Sequence, residues 1–299
     1  MDYYSDKERG TKPRTTENIT HAVWGGIFAL IKELISSGAF GNRYPDKCSD
    51  GAGTIGTDEN MFSLAVKAEI SDISWPLKTE QQKTDGSSWG TEPYVPDTVT
   101  VLDLIQFCYH SVAKPISLSH HDYFGHFHLR FDEDAGKEEF LAKVNKIFER
   151  NGIAFTLNSD GSIDRLVSPI IQEIFSAHFH TGDSLLDKML DEAKTKFLNP
   201  HPEIRREAIE RLWDCWERLK SIENPNDKKD SITTLLDKAA SDPDVRDMLE
   251  EEARKLTDIG NTFHIRHTEI TQIRISDGAV LDYLFHRLFS MIQLLILKR

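Results

Sequence analysis

Apolar residues return at helical spacing in several stretches of the chain. Between Asn18 and Ser36, Val23, Ile27, Leu30, Ile31 and Leu34 recur every three or four positions, as one buried face of a helix requires, and the run stops at Ser37-Gly38. A second helix is expected from Glu59 to Ile70 with Thr57 as its cap. A third is expected from Val99 to Val112 through Leu102, Ile105, Phe107 and Cys108, with Pro115 limiting its extension. Residues 38–56 are rich in Gly, Asp and Asn and contain Pro45, so they read as a loop. Residues 74–97 carry PLKTEQQKTDGSSWGTEPYVP and read as a polar flap.

The texture changes after Pro115. HDYFGHFHLRFD alternates aromatic or apolar with polar residues, the period of a strand, and KEEFLAKVNKIFERNG is an amphipathic helix ending at Gly152. In IAFTLNSDGSIDRLV two short apolar runs flank Asn158 to Gly161, the signature of a hairpin. From Pro169 onward the pattern is helical, with helices expected near 183–197, 202–222, 231–240, 244–259 and 279–298. In the second of these, Pro202 suits the helix start and Ile204, Ala208, Leu212, Cys215 and Leu219 form the buried face. Trp213 and Trp216 flank that face and read as packing residues, not base-stacking ones. Arg205, Arg206, Arg211, Arg218 and Lys220 alternate with Glu and read as a solvated face. The expected fold is mainly α with a small α+β middle module, divided as 1–115, 116–182 and 183–299.

Composition narrows the function classes. The chain has 299 residues, more than one core usually organises, and 39% hydrophobic residues supply ample core material. A formal net charge of −13 argues against a protein that coats nucleic acid with a uniformly basic surface. Cys48, Cys108 and Cys215 are far apart in sequence and form no CxxC pair, which fits a reducing cytoplasm. MDYYSDKERG holds no apolar run, so no secretory signal is expected. LDYLFHRLFSMIQLLILKR is nearly long enough to span a bilayer, but Asp282, His286, Arg287 and Gln293 interrupt it and favour a buried core helix, with no membrane partner.

Two clusters bear chemistry. SHHDYFGHFH gathers His120, His121, His126 and His128, with Asp122 and Asp132 nearby. His126 and His128 share one face of a strand, and with His121 they suit Zn or another transition metal. No cysteine is expected close to them, and no HExxH signature is present, so packed or capping histidines are the competing reading. The second cluster, GNTFHIRHTEIT, holds His264, Arg266, His267 and Glu269 just before the last apolar helix, where Asp282 and His286 stand one turn apart beside Arg287. A polar network between helices is the alternative there. GAGTIGTD matches GxGxxG through Gly51, Gly53 and Gly56, but no apolar strand precedes it. It reads as a turn-rich loop, and no dinucleotide is expected.

VNKIFERNGIAFTLNSDGSIDRLV and YSDKERGTKP resemble the AbiJ-like abortive-infection proteins of bacteria. IGNTFHIRHTEIT with DYLFHRLFSMIQLLIL resembles the helical HEPN domains that these proteins often carry. The resemblance implies a C-terminal HEPN-like bundle, a cytoplasmic homodimer, and metal-independent RNA cleavage or RNA binding in anti-phage defence. Arg266 would steady phosphate and His267 or His286 would move a proton, with His264, Glu269, Asp282 and Arg287 around the substrate. HEPN nucleases place a histidine after their arginine with about four to six residues in between. Here His267 follows Arg266 directly and the next histidine is His286. That departure supports an alternative, a non-enzymatic sensor or dimerising module with a degenerate HEPN domain.

Overall fold

Short polar side chains set the helix starts of the first half of the chain. Thr20 accepts from the Val23 amide and opens α1 (His21–Ser36). Asp58, not Thr57, caps α2 (Glu59–Glu69), accepting from Met61 N at 2.9 Å. The Thr57 hydroxyl is engaged elsewhere: it accepts from Phe40 N at 3.1 Å. Asp97 caps α3 (Thr98–Ser111). Asp132 accepts from Ala135 N at 3.0 Å and starts α4 (Glu133–Arg150) four residues before the expected Lys137, with Glu133 and Asp134 complementing the helix dipole.

In this computed structural model, residues 4, 8, 10, 12–51, 53–83, 90–166, 175, 179–263, 275 and 277–299 are described. Among them are nine helices and three small sheets. The protein is thus mostly helical with a small sheet module. It divides into two compact units, Met1–Leu166 and Val167–Arg299.

The loop expected over 38–56 contains two strands, β1 (Pro45–Lys47) and β2 (Thr54–Thr57). They are short and largely polar, so alternation could not reveal them. The expected flap likewise holds a two-stranded ribbon, β3 (Glu80–Gln82) with β4 (Thr91–Pro93), cross-linked by Gln81 Nε2 donating to Glu92 Oε1 at 2.9 Å and Thr91 Oγ1 to Glu80 Oε2 at 2.8 Å. The histidine-rich segment forms an antiparallel hairpin, β5 (Lys114–His121) with β6 (His126–Asp132). The four-stranded sheet runs in the order β1-β2-β6-β5. The hairpin read from NSDG is present as β7 (Phe155–Leu157) and β8 (Ile163–Arg165).

Side chains from before and after Pro115 close over one core in the first unit. Val23, Trp24, Ile27 and Ile31 of α1 meet Phe62 and Val66 of α2, Leu104 and Ile105 of α3, and Phe140, Val144 and Phe148 of α4. Each such large apolar side chain contributes about 1.5–3 kcal/mol when fully buried.

The second unit is helical: α5 (Ser184–Phe197), α6 (Pro202–Leu219), α7 (Lys228–Ala239), α8 (Pro243–Thr262) and α9 (Gly278–Lys298). Trp213 and Trp216 are packing residues. Their indoles donate to Leu256 O at 3.1 Å and Thr257 Oγ1 at 3.2 Å across to α8. The mixed-charge face of α6 is less solvated than its sequence implies. Arg205 and Lys220 are buried, Arg211 pairs with Glu192, and Arg218 grips Asp183 through two nitrogens at 2.9 and 3.0 Å. α9 is long and apolar enough to cross a bilayer by length and composition, and Leu284, Phe285, Leu288, Phe289, Met291, Ile292 and Leu295 lie in the core of this unit.

Candidate metal centre

Strand alternation sets two of the histidines side by side. His126 and His128 lie two apart on β6 and so face the same way, and His121 at the end of β5 sits directly across from His126. A register shift between Ser117 and His120 leaves Leu118 and Ser119 opposite the single residue His128. Such a bulge bends the strand and re-aims the residues after it, here His121. The three imidazole centroids lie 5.3–5.6 Å apart.

The fourth member comes from the loop that the sequence left without function. A second register shift, between Asp46 and Lys47, precedes Cys48. Cys48 N donates to Gly53 O, and Gly51 N donates to Cys48 O, each at 2.9 Å, closing a tight turn. Gly51 adopts φ +75°, a conformation natural to glycine. Gly53 serves by having no side chain: a Cβ there would stand 3.0 Å from Cγ and 3.2 Å from Cδ2 of His128. The turn can therefore lie flat against the imidazole, and Cys48 reaches the histidines.

One donor atom from each of Cys48, His121, His126 and His128 lies within 4.8 Å of every other. Cys48 Sγ is 3.5 Å from His121 Nδ1, and the Asp50 carboxylate is 3.4 Å from the same nitrogen. Cys48 is buried, the three histidines are half-buried, and Phe124 stacks on His126 with ring planes 3° apart. Burial, then the neighbouring Asp50 carboxylate, pushes the Cys48 thiol up from its ordinary value, which marks the site as poor for a bare thiolate. Nε2 of His126 and of His128 are both buried with no hydrogen-bond partner. Unpaired buried imidazole nitrogens are costly, so this donor set fits a metal ion better than it fits a closed hydrogen-bond network.

The sequence thus names three members of the cluster, His121, His126 and His128. The reading that no cysteine stands near them needs correction, because Cys48 is remote only in sequence. His120 turns away, with Nδ1 2.6 Å from Asp122 Oδ1 and its ring against Phe127. The signal for Cys48 was its place beside the glycine-rich turn, where a strand pair reverses.

Of the second cluster, His264, Arg266, His267 and Glu269 lie outside the described residues. Asp282, His286 and Arg287 are on α9. Arg287 donates from Nε and Nη2 to both oxygens of Glu252 on α8, at 2.6 and 2.8 Å. These bonds hold the Glu252 carboxyl below its ordinary range and raise the guanidinium. Asp282 is 3.9 Å from Arg205, and the His286 ring packs edge-on against Phe197 at 5.2 Å.

The profile of one family, described as AbiJ N-terminal domain 4, matches residues 2–179. The chain belongs to this AbiJ family. The match takes in the whole of the Cys48–His128 cluster and ends near the start of the helical second unit. No curated protein and no solved structure matches the chain significantly.

Proposed function

We propose that this AbiJ-family protein serves in abortive-infection defence against phage, and that its second unit acts on RNA as a HEPN-like, metal-independent endoribonuclease or RNA-binding effector. The observation that carries the reading is the order of the parts: a family-defined N-terminal domain over 2–179, followed by a separate helical unit. An N-terminal domain of this kind suits sensing, and the helical unit is then the effector. Arg266 is the phosphate ligand of this proposal, with His267 or His286 as proton carrier and His264, Glu269, Asp282 and Arg287 lining the substrate site.

The protein works in the cytoplasm as a homodimer in this proposal. Exposed apolar side chains on α9, Val280 at 42%, Tyr283 at 57% and Leu297 at 74%, support self-association.

A specific observation favours the second reading, a sensor or dimerising module without chemistry. Arg287 is committed to Glu252 through two hydrogen bonds, and His286 packs among Phe175, Phe197 and Phe285. Both side chains then act as helix-to-helix ties.

The deciding experiment is phage challenge of cells expressing the chain, paired with incubation of the purified protein with labelled total RNA in buffer free of added metal. Protection and RNA cleavage that are both lost in the Arg266→Ala, His267→Ala variant support the nuclease. Protection retained by that variant, with RNA uncut, leaves the module.

A further inference from the structure

We propose that Cys48, His121, His126 and His128 bind one zinc ion in tetrahedral geometry, and that the ion is a structural clip fastening the β1–β2 hairpin to the β5–β6 hairpin. This goes beyond the defence reading and stands independently of any action on RNA.

Distance, donor chemistry and charge all bear on it. With Zn–S of about 2.3 Å and Zn–N of about 2.0–2.1 Å, a tetrahedral site separates sulfur from nitrogen by about 3.5 Å. Cys48 Sγ and His121 Nδ1 stand 3.5 Å apart. A thiol-to-imidazole hydrogen bond would explain that one distance. It would leave the buried Nε2 atoms of His126 and His128 without partners, whereas an ion among the four donors satisfies them together. One thiolate and three neutral imidazoles leave a zinc site with a single formal positive charge, and the Asp50 carboxylate 3.4 Å from His121 Nδ1 offsets it. A thiolate with imidazoles suits zinc better than magnesium or calcium, which prefer oxygen donors.

The role is set by ligand count and topology. Four protein donors fill a tetrahedral shell and leave no position for water or substrate, as in structural sites. Cys48 belongs to the first hairpin and the three histidines to the second. Among the described residues those hairpins are joined by one ladder pair, Thr54 with Leu129, against six pairs within β5–β6. An ion bound at Cys48 and His128 would tie the sheet where backbone pairing is thinnest.

The test uses the full chain without a histidine tag. Metal content by plasma mass spectrometry should give one zinc per chain after dialysis, and Cys48→Ser and His126→Ala should each lose it. Stripping the wild-type protein with a high-affinity zinc chelator should lower its melting midpoint by about 5–10 °C, with recovery on adding zinc alone. Limited trypsin digestion should then cut near Lys47 faster in the stripped protein. Failure of folded wild-type protein to retain zinc overturns the site, as does equal retention by Cys48→Ser. Another ion retained in preference overturns the metal assignment. Zinc bound with no change in melting or digestion overturns the clip. None of these outcomes depends on RNA cleavage or phage protection.

Discussion

Replacing Gly53 with alanine separates the metal site from the fold that carries it. The backbone at Gly53 lies outside the left-handed region, so alanine meets no conformational strain there. Loss of unfolded-state freedom contributes about 0.4–1 kcal/mol in its favour, set against the cost of displacing the His128 ring. The added methyl, however, would stand 3.0 Å from Cγ, 3.2 Å from Cδ2 and 3.3 Å from Cβ of His128. Ordinary carbon contacts are about 3.5–4.0 Å, so the ring must give by a few tenths of an ångström. Metal–ligand distances tolerate only about 0.2 Å. Losing the orientation of a ligand typically costs on the order of 10–100-fold in metal affinity, equivalent to about 1.4–2.8 kcal/mol. Zinc affinity measured by competition with a chromophoric chelator should therefore fall by at least about tenfold in a protein that still folds. Unchanged affinity in a folded Gly53→Ala protein would refute the claim that His128 is held in the coordination shell by contact with this turn.

Thiol labelling gives an independent reading of the same site. Burial raises the Cys108 thiol well above its ordinary value and pushes Cys215 up to about 12, so both should resist iodoacetamide at pH 8 in the native state, and Cys48, buried and raised beside Asp50, should label in the zinc-free protein only at a higher pH and not at all with zinc bound, which peptide mass mapping will show. In the second unit, Gly260→Ala would place a Cβ 2.2 Å from Nε1 of the buried Trp213, whose indole donates to Leu256 O at 3.1 Å. Overpacking and the broken hydrogen bond together should cost about 2–4 kcal/mol, measured by denaturant titration, whereas Gly25→Ala, with nothing within 4 Å, should be neutral or stabilising. Hydrogen bonds from Arg287 lower the Glu252 carboxyl below its unfolded value, so the pair stabilises above about pH 4.3 and that contribution disappears as pH falls through the depressed folded value. Glu252→Gln should cost about 1 kcal/mol at pH 7 and nothing once Glu252 is protonated in the folded protein, and an equal loss at pH 7 and pH 2.5 would contradict the linkage.

How much of this was legible in the sequence depends on the range of the signal. Helical periodicity and caps are local, so α1, α3 and the five helices of the second unit lie close to their expected spans, and NSDG marked its hairpin. β1 and β2 escaped notice because Pro45, Asp46, Gly51, Gly53 and Gly56 look like loop, and β2 joins the rest of the sheet through a pairing with β6, far along the chain. The same long-range pairing hid Cys48. His126 and His128 share a face by strand period alone, but nothing local says that a turn 73 residues before His121 folds onto that face. Thr57 was the expected cap of α2. The choice fell to Asp58 because Phe40, which the sequence does not place beside Thr57, takes the threonine hydroxyl. The buried Arg205 illustrates the same limit. Its mixed-charge surroundings resemble a solvent face until Asp282 of another helix is brought within 3.9 Å.

Cobalt(II) substitution examines the four-donor site most directly, because its spectrum reports both the ligand type and the geometry. The chelator-stripped full-length protein is titrated with cobalt and followed from the near ultraviolet to the red. One equivalent should produce a thiolate-to-cobalt charge-transfer band together with intense visible bands of tetrahedral cobalt. Cys48→Ser should lose the charge-transfer band, His128→Ala should weaken or abolish both, and one equivalent of zinc should bleach the wild-type spectrum. Weak bands of octahedral cobalt without charge transfer, or a full tetrahedral spectrum in Cys48→Ser, would contradict a site built from Cys48, His121, His126 and His128.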